Sequence, residues 1–99
     1  MAVAVAVRYE DDSADPVAKM TAVWITASDV DNVDESTNSP INYYLSAECT
    51  GQDTAKSEVF SGDFTWQGWI APAAGDWKFY LRKQEDDSAV ANSGTVTFS

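Results

Sequence analysis

Residues 76–83 read DWKFYLRK. Trp77, Phe79 and Leu81 alternate with Lys78, Tyr80 and Arg82. A period of two is what a strand with one face on a core and the other in water shows, because successive side chains leave opposite faces. The segment predicts a strand with Trp77, Phe79 and Leu81 inward. PAAG (Pro72–Gly75) sets a corner before it and EDDS (Glu85–Ser88) a hairpin turn after it. GTVTFS (Gly94–Ser99) then returns as a strand with Val96 and Phe98 inward.

The same pattern extends toward the start. DFTWQGWIA (Asp63–Ala71) alternates Phe64, Trp66, Gly68 and Ile70 with Thr65, Gln67 and Trp69. SEVF (Ser57–Phe60) is a short, edge-like strand after the turn TGQDTAK (Thr50–Lys56). INYYLSAEC (Ile41–Cys49) places Ile41, Tyr43, Leu45, Ala47 and Cys49 on one face and Asn42, Tyr44, Ser46 and Glu48 on the other. Asp29–Pro40 is a long polar connection, and KMTAVWITAS (Lys19–Ser28) is a strand apolar on both faces, as a central strand is. Glu10–Pro16 is an acidic loop whose proline cannot join a central ladder. In MAVAVAVRYE (Met1–Glu10), Val3, Val5, Val7 and Tyr9 alternate with Ala2, Ala4, Ala6 and Arg8 as a first strand. No stretch carries a sustained helical repeat. The reading is all-β, with about seven strands and turn signals at the roughly 8–12-residue spacing of a two-sheet antiparallel sandwich. Residues 1–99 form a single domain, near the commonest domain size.

Several residues together carry a resemblance. A Trp in the second strand (Trp24), tyrosines in the third (Tyr43, Tyr44), Ile70-x-Pro72 before an aromatic strand, and the final Val96-x-Phe98 resemble an immunoglobulin-like domain of the fibronectin type III kind. The resemblance implies a sandwich with Trp24 and Trp77 between the sheets. In that family a proline corner leads four residues later to a Tyr whose hydroxyl ties the corner together. Here Pro72 leads to Trp77, one residue later than that, and Trp77 has no hydroxyl.

Charge and composition narrow the function. Sixteen acidic residues against six basic ones give a net charge of −10, which repels a phosphate backbone or an anionic membrane. With no His, the commonest general base and metal ligand is missing. The lone Cys49 cannot form an intrachain disulfide, and its phase with Leu45 predicts a packed, inert thiol. The apolar run Ala2–Val7 follows no Lys or Arg and falls short of a signal core and of the ~20 residues of a bilayer span. These features lead us to expect a chain that starts at its own Met and folds in a reducing cytoplasm, although export by a non-classical route stays open.

Three groups of residues are candidates for chemistry. The 29–40 connection and the 85–88 turn should lie at one end and gather Asp29, Asp31, Asp34, Glu35, Glu85, Asp86 and Asp87. Calcium takes about six to eight oxygen ligands, so these are weak calcium candidates. Their spacing matches no complete calcium loop, and solvated acidic loops are the plainer reading. Paired carboxylates acting on a glycosidic bond would need a cleft that a domain this small has little room for. No nucleophile and base stand together, so no enzyme and no cofactor are expected. Last, twelve aromatics exceed what so small a core holds. Trp69, Tyr44 and Tyr80 share faces with polar residues, which makes them candidate exposed anchors for a binding interface; the alternative is that they pack beneath Lys and Arg stems.

The expectation is therefore a non-enzymatic protein-binding structural module. By analogy with immunoglobulin-like proteins on tailed bacteriophages, it would be a virion decoration protein bound to a capsid or tail protein, made in the host cytoplasm and displayed on the virion surface, with self-association open. The alternative is an extracellular carbohydrate-binding or adhesion module from a larger secreted protein.

Overall fold

The computed structural model describes residues 3–9, 22–31 and 33–98. The expected acidic loop Glu10–Pro16 and the first residues of the strand expected from Lys19 lie outside them. The strands are β1 (Ala4–Tyr9), β2 (Ala22–Ser28), β3 (Val33–Asp34), β4 (Ser39–Pro40), β5 (Tyr43–Glu48), β6 (Ala55–Lys56), β7 (Phe64–Ile70), β8 (Gly75–Lys83) and β9 (Ala89–Phe98). No helix forms among the described residues. An antiparallel sheet of order β1-β2-β7 faces an antiparallel sheet of order β6-β5-β8-β9, and β3 and β4 make a small separate hairpin.

This hairpin lies inside the connection expected to be loop, where Asp34 accepts backbone hydrogen bonds from Thr37 and Asn38 to close the turn. The edge strand expected at Ser57–Phe60 forms earlier, at Ala55–Lys56, which pairs with Ser46 and Ala47. Phe60 makes only an isolated bridge to Tyr43. The last strand begins at Ala89 rather than Gly94 and is the longest among the described residues.

The core lies between the sheets. Val5, Val23, Ile25, Ala27 and Trp69 come from one sheet; Leu45, Trp77, Phe79, Leu81 and Phe98 come from the other. Trp77, Phe79 and Leu81 are fully buried, as the alternation of 76–83 requires.

Two tryptophans stand on the opposite face from the one expected. In β2 the buried positions are Val23, Ile25 and Ala27, so Trp24 points outward and is only half-buried. Both faces of that strand are apolar, and the register Val5↔Ala27 and Val7↔Ile25 selects the aliphatic one. Trp69, expected to be exposed, is instead in the core. Val23 pairs with Trp69 and Ile25 with Trp66, so two steps along β2 match three along β7. The extra residue is a β-bulge containing Gly68 at φ 67°, a backbone conformation glycine adopts without Cβ strain. The bulge inverts the alternation, and Trp66 and Trp69 both turn inward with ring centroids 6.0 Å apart. Trp69 then meets Trp77 at 5.1 Å, Phe79 at 5.2 Å and Phe98 at 6.0 Å, each edge to face. This is a favoured aromatic geometry, and these contacts reach across to the other sheet.

At the corner the indole Nε1 of Trp77 donates a 3.1 Å hydrogen bond to the carbonyl of Ala73. A buried indole N–H needs an acceptor, and the backbone of the turn supplies it. Cys49 packs at the edge of the core but is half-buried, not enclosed as expected, because it lies past the end of β5.

Candidate functional site

The outer face of the four-stranded sheet is covered by its own side chains. The register sets Tyr44 opposite Arg82, Ser46 opposite Tyr80 and Glu48 opposite Lys78. Arg82 reaches diagonally to Glu48, with Nε and Nη2 at 3.1 and 2.9 Å from Oε2, while its Nη1 donates to the Asp87 carbonyl at 2.8 Å. The same guanidinium lies 4.7 Å from the centroid of the Tyr80 ring. Ser46 donates its hydroxyl to Glu48 at 2.7 Å. Tyr44 donates to Asp87 Oδ1 at 2.6 Å, and the Lys56 ammonium sits 5.2 Å from its ring centroid.

Of the three candidate anchors, then, Trp69 is a core residue, Tyr44 is buried beneath Lys56 and the 84–88 turn, and Tyr80 is half-buried under Arg82. The Lys and Arg stems cover the tyrosines, which is the alternative the sequence left open. Burial, and next the hydrogen bond to Asp87, push the Tyr44 phenol up to about 12. Burial likewise raises the Tyr43 phenol, whose hydroxyl donates to the Asp31 carbonyl at 2.9 Å.

The 29–40 connection and the 85–88 turn do share one end of the molecule. Asp34, Ile41, Lys83 and Glu85 line a 140 Å³ depression between them. Three of the seven carboxylates there are engaged by hydrogen bonds. Asp34 Oδ1 accepts the Ser36 hydroxyl at 2.7 Å and its amide at 2.9 Å, which holds the group below the usual carboxylate range. Asp86 is lowered in the same way by Ser88. Asp87 turns to Tyr44, and the Lys83 charge acts on Asp34 and Asp86. Among the described residues no three acidic or thiol side chains converge where they could hold a metal ion, so Asp29, Asp31, Asp34, Glu35, Glu85, Asp86 and Asp87 do not form the calcium cluster considered above.

The outer face of the three-stranded sheet is different in kind. Arg8 stands opposite Trp24, Ala6 opposite Thr26 and Ala4 opposite Ser28. Thr26 pairs with Thr65, their hydroxyls 3.1 Å apart, and Ala22 with Ile70. Ile70 is 45% exposed. None of these outward residues is acidic, and Arg8 is the one charge among them. The sequence reading missed this face because it placed Trp24 between the sheets, as the resemblance implies; the signal available was the run of Val and Ile in phase with the opening strand.

No protein-family model, curated protein or solved structure matches this chain.

Proposed function

We propose that the chain is an immunoglobulin-like β-sandwich of the fibronectin type III kind, acting as a non-enzymatic protein-binding module: a decoration protein on the virion of a tailed bacteriophage. The arrangement of three strands (β1-β2-β7) facing four (β6-β5-β8-β9) supports the sandwich assignment. The corner hydrogen bond from Trp77 to Ala73 supports it too, since the indole N–H stands in for the tyrosine hydroxyl of that family.

The observation that carries the binding reading is the outer face of the three-stranded sheet. On a chain of net charge −10, a partner approaching elsewhere meets carboxylates that hold their water or repel a like charge. The surface formed by Ala4, Ala6, Trp24, Thr26, Thr65 and Ile70 carries no such cost, and apolar residues in the open mark interfaces. The anchors in this reading are Trp24 and Ile70, in place of Trp69, Tyr44 and Tyr80. A module of this charge stays away from packaged nucleic acid and docks on the outside of a particle, where it adds contacts and performs no chemistry.

The test is sedimentation of the purified chain with particles assembled without it. Wild type should pellet with the particles and saturate, while Trp24→Ala and Ile70→Asp should stay in the supernatant although both remain folded. Equal pelleting of all three proteins would remove the sheet face from the proposal, and failure of wild type to pellet would remove the particle.

A further inference from the structure

The two sheets have four edge strands among the described residues: β1 and β7 on one sheet, β6 and β9 on the other. An edge strand presents a row of backbone N–H and C=O groups that another strand complements, and proteins that stay monomeric blunt such edges with bulges, brevity or a lysine. Three of the four are blunted here. β6 is two residues long and ends on Lys56. β7 is bulged at Gly68 against β2, and β9 slips register twice against β8. β1 carries none of these devices. It pairs with β2 in unbroken register from Ala4↔Ser28 to Tyr9↔Val23, with no Pro, Lys or bulge. No backbone hydrogen bond outside that ladder involves Val3 to Arg8 among the described residues. We infer that β1 is a pairing edge, joined antiparallel to β1 of a second copy of this chain across a two-fold axis.

Charge points to a second copy. Two chains of net charge −10 repel each other wherever carboxylates line the approach. At one margin of the sandwich β1 lies against β9 of the facing sheet. These two strands contain no Asp or Glu, and Arg8 is the one charge between them. That margin is where like-charged copies meet at least cost.

Register points the same way. Residues directly opposite in an antiparallel pair share a face of the sheet, and a slip of one residue exchanges the faces. A two-fold axis at Ala6 sets Ala6 opposite Ala6, Val5 opposite Val7 and Ala4 opposite Arg8. The valines packed on the core then meet valines, the exposed alanines stay on the outer face, and the two Arg8 side chains do not oppose each other. The strand thus supplies its own match in phase, size and charge. Val3 and Val7, partly buried at the rim of the core, gain cover. The joined sheet has the order β7-β2-β1-β1-β2-β7, six strands, within the common size of about 4–6. Pairing uses the strand edge and leaves the outer sheet face free, so the inference does not rest on docking to a particle.

The test is sedimentation equilibrium of the whole chain from about 1 μM to about 1 mM, the range of weak association. A reversible monomer–dimer equilibrium that stops at two copies is expected, strengthened by salt because salt screens the charge of −10. Ala6→Glu and Ala6→Lys each alter an exposed side chain and set like charges face to face at the axis. Each should raise the dissociation constant of the dimer by about fivefold or more, and an equimolar mixture of the two should associate more tightly than either alone. Amide exchange should slow in β1, and not in β7 or β9, as concentration rises. Should one variant not fold, the other decides together with the exchange measurement. Monomer at every concentration, assembly beyond two copies, dimers unweakened by the variants, a mixture no tighter than its components, or protection gained in β7 or β9 in place of β1 would overturn the inference.

Discussion

The Tyr44 hydroxyl is 2.6 Å from the Asp87 carboxylate, a hydrogen bond spanning 43 positions of sequence that ties the centre of the four-stranded sheet to the turn closing β8 and β9. Asp87 takes part from a left-handed backbone position at φ 61°, which Asp tolerates better than most residues. Tyr44→Phe should therefore lower stability by about 1–2 kcal/mol at neutral pH by denaturant unfolding, one charge-assisted hydrogen bond being lost.

The same contact gives a pH dependence with a definite sign. With the folded Tyr44 phenol raised from 10.0 to about 12, the folded state holds a proton that the unfolded chain releases first. The contribution is complete below pH 10 and is lost as pH rises toward 12. Unfolding midpoints of wild type and Tyr44→Phe should converge over that interval. A constant gap between them would show that the phenol is not raised.

The bulge at Gly68 yields a third expectation. A Cβ there meets nothing within 4 Å, so Gly68→Ala carries only the left-handed backbone penalty, about 1–2 kcal/mol by thermal or denaturant melts. Deleting Gly68 is a different matter. It removes the extra residue and leaves Trp66 and Trp69 two positions apart on one face of a strictly alternating strand, so Trp69 should stay in the core and the chain should still fold cooperatively.

The four tryptophans were only partly legible in the sequence, and the reasons differ by residue. Trp77 sits in an uninterrupted alternation and is buried as that pattern requires. Trp69 follows a glycine within a strand, the common mark of a bulge, but period alone carries the phase straight through it. Trp24 lies in a strand with two apolar faces, where periodicity cannot choose and only the pairing with β1 does. The burial of Tyr80 on the outer sheet face depends on Arg82, whose contact to Glu48 joins residues 34 positions apart in the chain. The acidic end was legible as a location. Its carboxylates were not, because serines two residues on capture Asp34 and Asp86 while Asp87 turns to the sheet.

Trp77→Ala and Trp24→Ala should accordingly differ sharply. The first empties a fully buried site and frees the Ala73 carbonyl, at about 3–5 kcal/mol; the second uncovers a half-buried outer face, at about 1 kcal/mol. Comparable losses in the two would mean that β2 faces the other way.

Cys49 should react with a thiol reagent in the native protein, more slowly than in the denatured chain, since it is half-buried. A Cβ at Gly75 would come 3.1 Å from its sulfur, at φ 145°, so Gly75→Ala should both lower the melting temperature and speed the labelling. Labelling blocked entirely until unfolding would place the thiol deeper than the structure does.

Trp69 has a consequence for how folding can be watched. Its partners Trp77, Phe79 and Phe98 belong to strands brought together by a local hairpin, whereas Trp69 itself arrives on the other sheet. Hairpins of short loop close early, and pairings distant in sequence close late. With Trp24 and Trp66 replaced by Phe, the blue shift of indole emission would mark the moment the two layers dock. Amide protection in β8 and β9 would be acquired before it, so the aromatic hub acts as the clock of the last step rather than the seed of the first.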